Sequence, residues 1–75
     1  MNHPTPNYKF SIGTRFIPRG KKNRVIRTVV DYGTTYNNAG SIVKQRYITA
    51  HQVCGQIVLD RDVVETTIAM SEVAP

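Results

Sequence analysis

Arg19, Lys21, Lys22 and Arg24 fall within six residues around Gly20, and Arg15 and Arg27 flank them. Guanidinium and ammonium groups at this density bind phosphate oxygens or carboxylates through charge-assisted hydrogen bonds. Lys44 and Arg46, two residues apart, form a second basic pair that would share one face of a strand. If that strand neighbours Arg27, the sheet would carry a continuous cationic stripe. Tyr32, Tyr36 and Tyr47 lie close enough in sequence to add base stacking, worth roughly 1–3 kcal/mol per stacked base. The plain alternatives are a solvated basic loop that keeps the protein soluble and tyrosines buried with their hydroxyls at the rim. For Tyr32 the buried reading is favoured. Tyr36, one residue before a turn, is the better stacking candidate.

Other reactive side chains form no recognisable constellation. His51 and Cys54 are three apart, and zinc needs three or four ligands at defined spacing. A loop histidine and a small buried thiol is the simpler expectation. A nucleophilic cysteine would need a base and an orienting group beside it. Asp60 and Asp62 flank Arg61 and read as a charge-balanced turn instead of a cation site. The expectation is a non-enzymatic binding protein with no catalytic residue, no metal site and no cofactor.

Charge is unevenly distributed along the chain. Residues 1–50 hold nine Lys/Arg and one acid, whereas residues 51–75 hold one Arg and four acids, so +8 is followed by −3 and the net is +5. Such a field favours a polyanion or an acidic protein surface and says nothing of fold. The expected partner is therefore nucleic acid or an acidic face of a host protein. At 75 residues there is room for one core, and a chain this small gains from pairing, so a homodimer is considered. A single cysteine cannot form an internal disulfide, and a reducing, cytoplasmic setting is expected. The first residues have no apolar stretch of signal-peptide type, and no run approaches membrane-spanning length, so no membrane association is expected.

The elements that must carry these groups show a period of two. Residues 1–7, with Pro4 and Pro6, predict a disordered tail, and residues 71–75 a loose C-terminus. Between them, residues 8–70 predict a single all-β domain. Strand-like runs cover 9–12 and 14–18, with Pro18 forcing the chain out of the sheet into the basic loop. Residues 24–32 are the clearest strand, with Ile26, Thr28, Val30 and Tyr32 as the expected core face. Asn37-Asn38-Ala39-Gly40 predicts a hairpin turn. Residues 41–49 return as its partner strand, and which of its faces turns inward is open. Residues 56–59 form a further strand, 60–63 a tight turn, and 64–70 a last strand favoured over a helix by its β-branched residues. Five short strands, with the last pairing the first, fit a small SH3-like barrel.

Several segments resemble a group of small proteins of bacteriophages, prophages and plasmids of proteobacteria that have no assigned activity. They are Phe10 to Lys21, Val30-Asp31, Thr35 to Gly40, Val43 to Tyr47, His51, Gly55-Gln56, Asp60 to Val63 and Thr66 to Ile68. The resemblance covers most of residues 9–69 and implies a mobile-element accessory protein. It transfers no functional residue. The opening Phe10-x-x-Gly13-x-Arg15 followed by basic residues also resembles SH3-like barrels such as the plasmid-borne dihydrofolate reductase. The active-site strand of that enzyme has no counterpart here, so its activity is not implied. Within this setting a phage-type inhibitor or modulator of RNA polymerase or of a defence nuclease is the alternative to nucleic-acid binding.

Overall fold

In the computed structural model, residues 5–20 and 24–74 are described. They form one antiparallel sheet and one short helix. The strands are β1 (Arg15–Ile17), β2 (Arg27–Tyr36), β3 (Ile42–Val53), β4 (Gln56–Val63) and β5 (Glu72–Val73), with α1 (Glu65–Ala69) between the last two. The sheet order is β4-β3-β2-β1-β5, so a final strand lies beside the first, but it is Glu72–Val73 and not the expected 64–70. The all-β class holds. β4 and β5 stand at opposite ends of an open sheet.

The connections follow local chemistry. Between β2 and β3, the Asn37 side chain accepts the backbone N–H groups of Ala39 and Ser41, both at 3.0 Å, and Gly40 takes the positive φ of 83° that closes the turn. Between β3 and β4, Cys54 (φ 51°) and Gly55 (φ 79°) are both left-handed, which suits a two-residue hairpin. Cys54 is thus exposed at a turn and His51 sits within β3, correcting the expectation of a buried thiol and a loop histidine.

Three further expectations change. Residues 9–12 form bends and a turn, because both backbone groups of Phe10 are taken by tyrosine hydroxyls. Its N–H donates to Tyr47 Oη at 3.1 Å, and its carbonyl accepts from Tyr32 Oη at 2.8 Å. Residues 60–63 extend β4: the pairs Tyr47↔Val63 and Thr49↔Asp60 leave two residues of β4 opposite Ile48 alone, a bulge in place of a turn. Residues 65–69 are helical, since Ile68 is buried in the core and tertiary packing overrides weak β propensity. The last strand therefore comes at Glu72–Val73, in the stretch expected to be loose, and Ala74 behind it is buried.

A bulge also decides which residues of β2 face the core. Pairing jumps from Val29↔Thr49 to Asp31↔Ile48, leaving Val30 unpaired. Before the bulge, Arg27 and Val29 face inward, opposite the expected face. After it, Tyr32 does. On β3 the inward set is Gln45, Tyr47 and Thr49, of which Tyr47 and Thr49 are buried. The core comprises Phe16, Val29, Tyr47, Val63 and Ile68, with Tyr8, Phe10 and Tyr32 packed against it. Tyr8 stacks on Tyr32 at 4.0 Å between ring centroids, and both meet Tyr47 edge-on, at 5.1 and 5.7 Å.

Candidate functional site

The register determines where each basic side chain points. Arg27 pairs with the buried Phe16 and shares the inward face with Val29. Lys44 and Arg46 alternate with Gln45 and Tyr47 and so occupy the outward face, across from Thr35 and Gly33. The expected stripe running from Arg27 to Lys44 and Arg46 does not form. Its two halves lie on opposite sides of the sheet because the Val30 bulge turned Arg27 inward. Arg15, paired with Thr28, is exposed on the outward side.

Carboxylates accompany these sheet cations. Arg27 lies 3.8 Å from Asp60, Lys44 lies 3.4 Å from Asp62, and Arg46 Nε donates to Asp62 at 3.1 Å. Arg46 Nη1 donates to the Gln45 carbonyl as well, at 2.9 Å. The Arg27 side chain is only 20 % exposed, and its Nε is buried without a protein partner, as are Thr49 Oγ1 and His51 Nδ1. A guanidinium held in this way presents little to a polyanion.

The β1–β2 loop differs. Arg19 and Arg24 are exposed at its two ends, and Lys21 and Lys22 lie outside the described residues. Among the described residues, the carboxylate facing this loop is Glu72 of β5, which takes both terminal nitrogens of Arg24 in a fork-to-fork pair. That hydrogen bond is the main reason the Glu72 carboxyl titrates below its ordinary range, with the charges of Arg24 and Arg19 adding to it and partial burial opposing it. Arg24 is held above its ordinary value by the same bond. By sequence the loop carries four cations, Arg19, Lys21, Lys22 and Arg24, and among the described residues Glu72 is paired with Arg24.

The tyrosines divide between packing and surface. Tyr32 and Tyr47 belong to the aromatic cluster, and burial pushes the Tyr47 hydroxyl up from its ordinary value. Tyr36 closes β2 and is 38 % exposed, next to the Asn37 turn. It lies on a different connection from the basic loop.

What the sequence reading missed is the acid partners: Asp60, Asp62 and Glu72. Their signal was present in the opposite charge of the two chain halves, since antiparallel return strands lay an acidic second half along a basic first half. Among the described residues no three His, Cys, Asp or Glu side chains gather as metal ligands, and no helix is long and apolar enough to cross a membrane. Set against family models, curated proteins and solved structures, the chain matches none.

Proposed function

We propose that this protein is a non-enzymatic binding module that engages the phosphates of nucleic acid through the β1–β2 loop, residues 19–24. The observation that carries the reading is the density of cations in this part of the sequence, Arg19, Lys21, Lys22 and Arg24, of which Arg19 is exposed and Arg24 is paired with Glu72. The frame is read as SH3-like, supported by a four-strand meander, a one-turn helix and a fifth strand returning beside the first. Compared with the sequence expectation, the interface contracts from sheet and loop to the loop alone. A mobile-element accessory role, as the resemblance implies, fits a chain of this size and charge.

About three phosphates neutralised on B-DNA give a log affinity against log salt slope near −3. Fluorescence anisotropy with labelled duplex DNA, single-stranded DNA and single-stranded RNA reads this directly. Absence of binding to all three at low salt defeats the proposal.

The second reading is docking on an acidic face of a host protein, such as RNA polymerase or a defence nuclease. It is favoured by the alternation Lys44–Asp62–Arg46, whose mixed signs weaken attraction to a polyanion while leaving net positive charge for acidic side chains of a protein surface. A nuclease-treated pull-down that retains one host protein, with no nucleic-acid binding by anisotropy, selects it.

A further inference from the structure

β4 is a terminal strand of the sheet, with β3 on one side and, among the described residues, no strand on the other. An unpaired edge offers a row of N–H and C=O groups to any extended chain, and proteins normally blunt it with Lys, Pro, a bulge or brevity. The opposite edge, β5, is blunted by its length of two residues. In β4 the bulge and charges of Asp60 to Asp62 protect the second half only. Gln56 to Leu59 has no such device, and Ile57, Val58 and Leu59 are 62 %, 40 % and 46 % exposed.

The molecule is also less compact than a chain of its size should be. Its radius of gyration is 13.9 Å, against roughly 11 Å for a compact 75-residue domain. It exposes 5521 Å² at 8.4 kDa, against roughly 4600 Å² for a monomer of that mass. The β3–β4 hairpin, which runs past the start of β2, contributes to this extra surface.

We propose that the β4 edge pairs with β4 of a second copy, antiparallel about a two-fold axis at Val58, merging two sheets into one. A two-fold that gives antiparallel edge pairing is perpendicular to the sheet, so paired residues share a face and the axis passes through a residue. The ladder begins at the two-residue turn between Val53 and Gln56, and its alternation directs the backbone groups of Ile57 and Leu59 outward. An axis at Val58 sets Ile57 against the partner's Leu59 twice and Val58 against the partner's Val58. An axis at Leu59 would instead set Val58 against Asp60 and Ile57 against Arg61. On the face bearing Ile57, an open groove of about 700 Å³ adjoins the edge, its walls both apolar (Val25, Ile26, Val30) and polar (Arg24, His51, Gln52).

Sedimentation equilibrium of the full chain, from micromolar to sub-millimolar concentration, is expected to give twice the monomer mass. Val58→Lys and Val58→Glu each bring like charges together at the axis and weaken the dimer by roughly 100-fold. An equimolar mixture of the two variants restores a heterodimer, a rescue that misfolding would not produce. In a Cys54→Ser background, Val58→Cys cross-links on mild oxidation, because a non-hydrogen-bonded antiparallel pair sits at about 4.5 Å between Cα atoms. Gln56→Cys does not cross-link. A monomer at every concentration overturns the proposal. So does a wild-type-like dimer in Val58→Lys, a failure of the folded charge variants to pair, or equal cross-linking at position 56.

Discussion

Lys44 and Arg46 share one carboxylate, Asp62, and Arg27 has Asp60, whereas the β1–β2 loop holds four cations by sequence, of which Arg24 is paired with Glu72. These three strand cations have two acids among them, and the loop has four cations by sequence with Arg24 paired to Glu72. The residue types are the same, and only position in the topology separates them. Arg27, Lys44 and Arg46 on the strands meet the acids of β4, while Arg24 on the loop after β1 meets Glu72 of β5. Net charge per segment is therefore a poor map of the surface, and a pairing diagram is a better one.

The largest expected effect follows from that contrast. Removing the loop charges together, in Arg19→Ala/Lys21→Ala/Lys22→Ala, lowers affinity for a DNA or RNA probe by at least about 100-fold at low salt. The matched pair Lys44→Ala/Arg46→Ala changes it by less than about threefold. Anisotropy titrations on both variants decide the matter, and equal losses would show that the sheet cations are as available as those of the loop.

An intermediate effect comes from converting one region into the other. Asp62→Asn removes the carboxylate that Lys44 and Arg46 share. If neutralisation by Asp62 is what silences that face, the variant gains roughly three- to tenfold in affinity and its salt slope steepens by about one. An unchanged slope would mean that Lys44 and Arg46 lie outside the path of the ligand whatever their partners.

How far the sequence led is visible in the same residues. The strand within residues 24–32 and the Asn37–Gly40 turn were legible, because propensity and turn chemistry are local. The bulge at Val30 was not. Nothing in an alternating pattern marks the residue that will be left over when two strands of unequal curvature pair, and one such residue reverses every side chain beyond it. That reversal put Arg27 inside, and with it went half of the cationic face read from alternation. The helix at Glu65–Ala69 was hidden for a related reason, since its single buried residue, Ile68, is chosen by a core built from distant strands.

The smallest effect concerns the one acid that the loop must tolerate. Arg24 and Glu72 are an exposed pair, so they brace the loop against β5 without contributing much to stability. The Glu72 carboxyl is held below its ordinary value of 4.5, chiefly by the Arg24 hydrogen bond. A carboxylate with a depressed folded-state pKa stabilises above its unfolded pKa, and that stability is lost as pH falls through the folded value. Glu72→Gln should therefore melt slightly below the wild type near neutral pH. The gap should close on acidification below about pH 4. The same variant releases Arg24, so its salt slope on DNA steepens by about one at neutral pH. A melting-temperature gap that is constant across the acid range would mean the pair does not form in solution. The loop would then already carry four unopposed cations, and the wild-type slope itself would lie nearer −4 than −3.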